Sequence, residues 1–109
     1  MAKFEKELWN DFDETLERIQ HEILNGSASA SLEDSSDFSG ENARCSVRIF
    51  ERYSAMGGNR VSMSVTLFQS GEGPVQLSAI TSGGSQAVLF KLNTFGEEAF
   101  LDCLRRLFQ

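Results

Sequence analysis

The sequence predicts an α+β domain: one curved antiparallel sheet of five strands, or six if residues 87–92 are extended, with two helices on one face. Three observations carry this expectation. Ala43–Gln69 holds two alternating runs around a Gly-Gly turn, the pattern of a β-hairpin. Phe12, Leu16, Ile19 and Ile23 recur at helical spacing. Near the other end, Phe100, Leu101, Leu104, Leu107 and Phe108 do so again. The element order is β-α-β-β-β-β-(β)-α.

Lys3–Trp9 alternates weakly and reads as an edge strand, its lysines and glutamates discouraging edge-to-edge pairing. Asp11 then caps a helix, with Glu14 three residues on completing a capping box. The four apolar positions of this helix lie within about 60° of one another on a 100° wheel. Asn25-Gly26 ends it, with Gly26 suited to a left-handed C′ position. Ser27–Glu33 alternates serine with Ala28, Ala30 and Leu32, a strand with a thin buried face under a close helix. Asp34–Asn42 is polar and turn-forming, and reads as a loop.

In the hairpin, Cys45, Val47 and Ile49 share a parity and pair with Val61, Met63, Val65 and Leu67 on the core face. That pairing requires an odd loop, met by Met56-Gly57-Gly58 with a glycine at the bulge. Ser70–Pro74 turns the chain into a further strand, Val75–Thr81, which Ser82-Gly83-Gly84-Ser85 interrupts. Ala87–Leu92 reads as a short strand or as a lead-in to the last helix, with strand preferred. Thr94 and Glu97 form a second capping box, and Arg105 and Arg106 suit the last turn of that helix.

Residues 1–109 are enough for one domain with its own core, and leave no room for a second. A net charge of −6 disfavours nucleic acid and anionic membranes as general partners. Two cysteines without CxxC spacing and one histidine cannot supply a Cys/His zinc site. No apolar run approaches the roughly 20 residues of a spanning helix, and the first residues lack a signal-peptide core. A cytoplasmic protein with reduced thiols, no cofactor and no metal is expected.

The β-α-β4-α order resembles the TATA-box-binding-protein-like fold and a shortened helix-grip fold of START-type lipid-binding domains; a likeness of order alone carries no function. At Glu51–Ser62, Ala79–Ala87 and Leu92–Leu101 the chain resembles a small family of uncharacterised bacterial domains of about this length. That resemblance implies no site residues.

No catalytic set emerges. His21 falls on the polar side of the first helix wheel, among Glu14, Glu17 and Arg18. Cys45 shares the core parity, and Cys103 lies at the margin of the last helix's apolar face. Asp34, Asp37 and Glu41 lack the EF-hand spacing. Ser82, Gly83, Gly84 and Ser85 offer a run of backbone N–H groups that could nest an anion, though without a phosphate-loop motif. The surface singled out for partner binding is the opposite parity of the hairpin: Arg44, Arg48, Phe50 and Arg52, with Phe68 across the turn and Ile80 from the next strand. Exposed together, these aromatic and apolar side chains exceed scattered singles and suit self-association or a protein partner. The alternative is a small apolar ligand held between sheet and helices, in a cavity left by Ala28, Ala30 and Ala79. The face assignment depends on the odd loop, since a slip of one residue exchanges the two faces.

Overall fold

The computed structural model describes residues 1–53, 59–83 and 90–109, the side chains of 90–95 excepted. The elements are β1 (Ala2–Leu8), α1 (Phe12–Asn25), β2 (Ser31–Ser39), β3 (Ala43–Tyr53), β4 (Arg60–Ser70), β5 (Val75–Gly83) and α2 (Phe90–Phe108). One five-stranded sheet runs in the order β1-β5-β4-β3-β2, and every neighbouring pair is antiparallel. Chain order gives a meander from β2 to β5, and β1 returns to close the far edge against β5.

Both helices lie on one face of this sheet. Val61, Met63, Val65 and Leu67 of β4 and Val75, Leu77 and Ala79 of β5 point to that side. They are buried with Phe12, Ile19 and Ile23 of α1 and Phe100, Leu101 and Leu104 of α2. Each fully buried side chain of this kind contributes roughly 1.5–3 kcal/mol. Asp11 caps α1 as its sequence predicts, its Oδ2 accepting from the Glu14 N–H at 3.0 Å. The Thr15 hydroxyl is also buried there and donates to the Asp11 carbonyl at 2.6 Å.

Five local expectations are corrected. Gly26 sits in the right-handed region, with φ −80°. Its glycine is explained by close approach: a Cβ would lie 2.9 Å from the Glu22 carbonyl oxygen and 3.5 Å from Cys103 Sγ. The left-handed position belongs instead to Gly71, φ +58°, in the β4–β5 turn. The second strand begins at Ser31 and runs through Ser39, so Asp34–Ser39 is strand and Ala28 lies in a turn. This strand has no buried face to mark it in the sequence; its ladder with β3 and the Asp37 bonds to Ser46 and Arg48 hold it. Finally, α2 begins at Phe90, so residues 90–92 are helical and Thr94 and Glu97 lie inside the helix. The rest of the expected sixth strand, 87–89, lies outside the described residues.

The largest correction concerns the hairpin. Ile49 pairs with Ser64, Arg48 with Val65 and Phe50 with Met63. Tyr53 pairs with Arg60, so an even number of residues, 54–59, separates them. The Met56-Gly57-Gly58 loop itself lies outside the described residues, but this register excludes an odd connection. Relative to expectation, β3 is therefore turned over. Phe50 is fully buried in the core, and Arg44, Arg48 and Arg52 are on the helix side. Cys45, Val47 and Ile49 face the other way.

Arginines suit that side because they finish what the helices leave open. The Arg44 guanidinium lies 3.9 Å from the Phe12 ring centroid and grips Asp13 through two hydrogen bonds of 2.7 and 3.2 Å. Arg48, only 12% exposed, donates to Gln20 Oε1 at 2.8 Å and to Asp37 Oδ1 at 3.0 Å. Arg52 lies 4.6 Å from the Phe100 ring centroid. Their stems cover apolar surface while their charged heads reach carboxylates or ring faces. The bonds from Arg44 hold the Asp13 carboxyl below its ordinary range. Those from Ser46 first and Arg48 second do the same for Asp37.

Candidate functional site

The face of the sheet away from the helices is organised in rows that cross the strands. One row reads Lys3, Ile80, Ser64, Ile49, Asp34 from β1 to β2. The next reads Glu5, Ser78, Thr66, Val47, Ser36, and the third Glu7, Gln76, Phe68, Cys45, Phe38. In these rows the three middle strands carry no charge. Charge is confined to the edge strands, as Lys3, Glu5 and Glu7 on β1 and Asp34 on β2. Past the first row, Glu51 is tied by Arg60 and by the Ser62 hydroxyl, which donates to it at 3.1 Å.

The centre is apolar and partly bare. Phe38 is 67% exposed, Ile80 39% and Phe68 38%. Cys45, Val47 and Ile49 are half-buried by their neighbours on the same face. An open concavity of about 470 Å³ flanks the patch, lined among others by Glu5, Glu7, Thr66, Phe68, Gln76 and Ser78. The face is thus uncharged and aromatic-bearing at its centre, with charge on its two edge strands.

Of the six residues expected on this surface, Phe68 and Ile80 are on it. Arg44, Arg48, Phe50 and Arg52 are on the opposite face, removed by the even register. In their place stand Val47, Ile49 and Cys45. Phe38, hidden in the sequence within an apparent loop, joins them. The one available signal was the match of Arg44 and Arg48 to acceptors outside the hairpin, which the hairpin's own alternation cannot display.

Of the loop expected to nest an anion, Gly84 and Ser85 lie outside the described residues. Ser82 and Gly83 are the last residues of β5. The Gly83 N–H already donates to a carboxylate of this chain, Glu97 Oε2, at 2.9 Å. Glu97 is buried, and its other oxygen lies 2.6 Å from the Met1 ammonium. The capping-box pattern around Glu97 thus serves a tertiary contact between α2, β5 and the N-terminal residue.

His21 is exposed on α1, where the Asn25 amide donates to its carbonyl at 2.8 Å. It lines an open groove of about 320 Å³ with Glu14, Glu17, Arg18, Glu22 and Leu107. Cys103 is buried on α2 beside Gly26 at the end of α1, and Cys45 is on the far side of the sheet. Among the described residues no hydrogen bond joins the exposed His21 to either thiol.

Among the described residues, no helix is long and apolar enough to cross a membrane. No curated protein and no solved structure matches the chain. The model of a family of unknown function, DUF6054, matches residues 1–109, and the chain belongs to that family.

Proposed function

We propose that this chain is a non-enzymatic interaction module that self-associates through the helix-free face of its sheet. The observation that carries this reading is the charge-free centre on β5, β4 and β3, where Ile80, Phe68 and Ile49 stand with Phe38 beside them on β2. Burying such a patch against a like surface recovers apolar area that now faces water. His21 exposed and Cys103 buried support the non-enzymatic part. The unpaired Cys45 and Cys103 support a cytoplasmic setting.

The rival reading, an apolar ligand between sheet and helices, loses its motive. Ala28 and Ala30 precede β2 and do not lie over the core, and Ala79 is packed within it.

Sedimentation velocity over a range of concentrations tests the proposal. The wild-type chain is expected to shift from monomer to dimer. Phe68→Ser and Ile49→Ser should each weaken that shift while leaving the circular dichroism spectrum unchanged. A wild-type chain that stays monomeric throughout overturns the reading.

A further inference from the structure

The rows of the outer face constrain how two copies can meet. Five strands about 4.8 Å apart with about eight paired residues each make a plane of about 600 Å². That is of the order of the roughly 800 Å² per partner in a standard interface. Aligned sheets pack about 10 Å apart, their strands within about 30° of parallel. A two-fold axis lying in the interface preserves such alignment in two ways.

Consider first an axis that runs along β4, the middle strand. It lays β1 on the partner's β2, β5 on the partner's β3, and β4 on its own copy. Each row then meets the same row reversed. Ile80 faces the partner's Ile49, Phe68 faces the partner's Phe68, and Lys3 faces the partner's Asp34. By symmetry the charge pair occurs twice. A crossing of about 30° slides the edge strands by about 5 Å, within reach of a lysine's flexible stem.

Now take an axis across the strands, through the Thr66 row. Glu5 then faces the partner's Glu5, and Asp34 faces the partner's Phe38. Ile80 is set on the partner's Gln76. Both arrangements set one acid on Phe38, Glu7 in the first and Asp34 in the second, and the second keeps Val47 on Val47 and pairs Lys3 with Glu7. It opposes Glu5 to Glu5, however, and sets Ile80 and Phe68 on the polar Gln76 and Ser64, so it is the less favourable of the two.

Resting on the self-association proposed above, we infer that the occupant of the outer face is a second copy placed by a two-fold axis along β4, with Lys3 of each copy paired to the partner's Asp34. Both groups are available for this. The Lys3 side chain is 59% exposed, its nearest carboxylate being Glu5 at 3.9 Å. Asp34 is exposed and, among the described residues, accepts only the neighbouring Ser35 N–H, at 2.8 Å.

Charge reversal in two separate chains tests the geometry. Lys3→Glu sets two acidic pairs across the dimer, and Asp34→Lys sets two basic ones. Each variant alone should raise the dimer dissociation constant about 3–10-fold, the scale of two rim ion pairs. An equimolar mixture of the two variants makes both pairs opposite in sign, and should restore wild-type affinity as a heterodimer. Under the axis across the strands, Lys3 would face the partner's Glu7 and mixing would not restore affinity. If either variant dimerises like the wild type, or the mixture binds no more tightly than its components, this geometry is overturned. The self-association reading then still stands on the Phe68→Ser result. A monomeric wild type overturns both.

Discussion

β3 and β4 are neighbours of equal length, 11 residues each, yet they meet the helices in different ways. On β4 the helix side is apolar from Val61 through Met63 and Val65 to Leu67, with Gln69 at its end, and the other side carries Ser62, Ser64, Thr66 and Phe68 between Arg60 and Ser70. On β3 the helix side is Arg44, Ser46, Arg48, Phe50 and Arg52, and the apolar Cys45, Val47 and Ile49 face outward. The difference follows from what lies overhead. β4 lies beneath both helices. Over β3 the layer is finished by the rims of Phe12 and Phe100, which guanidinium groups cover and α1's polar side chains anchor. Alternation therefore names the buried face of a strand only where a helix covers it; beside a helix, arginine is an inward residue.

The comparison breaks most visibly at adjacent β3 positions. Phe50→Ala should cost about 3–5 kcal/mol by opening a cavity in the core. Ile49→Ala, half-buried on the outer face, should cost the isolated chain under about 1 kcal/mol. Urea denaturation of the two variants at low protein concentration checks this. Equal costs, or a larger cost at Ile49, would restore the odd register.

A smaller effect is expected at Arg48. Arg48→Ala removes its bond to Gln20 and the packing of its stem, and should cost about 1–2 kcal/mol by the same assay. If β3 faced outward there, the change would be close to neutral.

Smallest is a pH effect. The Asp13 and Asp37 carboxyls are held below their ordinary range when folded, so the unfolded chain binds more protons. Their contribution is present above the unfolded carboxylate pKa of about 3.9 and is lost as pH falls through the lower folded values. Melting temperature should drop through that acidic window, and Asp37→Asn should make the drop shallower. An unchanged slope would mean that the Ser46 and Arg48 contacts to Asp37 do not persist in solution.

Much of the fold was legible because local chemistry and tertiary setting agreed. Asp11 and Glu14 start α1 as they would in any helix, and β4 and β5 alternate beneath a helix layer. Legibility failed where a residue answers to something distant in the chain. Both parities of β3 carry apolar groups, and Phe50 on one side balances Cys45, Val47 and Ile49 on the other. Among the described residues, Phe12, Asp13, Gln20, Asp37 and Phe100 decide between them. β2 owes its strand form to the ladder with β3, since both its faces are largely solvated. Glu97 looks like a cap from its spacing to Thr94, because its partners, the Gly83 N–H and the Met1 ammonium, lie far from it in sequence. The outer face was thus half legible: Phe68 and Ile80 were found, while Val47, Ile49 and Phe38 were not.

The placing of β1 beside β5 also bears on the order in which the molecule assembles. β2 to β5 can form as successive hairpins, each closing a short stretch of chain. Ala2 has to wait for Thr81, and its pairing closes the longest loop in the sheet. Loop entropy makes such a contact late and slow. During synthesis, β1 and α1 are made before β5, and β1 remains without its sheet partner until β5 follows. Pulse-labelled hydrogen exchange during refolding should find the β3–β4 amides protected before those of Ala2–Leu8; simultaneous protection would contradict this order. The strand at the start of the chain is then the latch that completes the sheet.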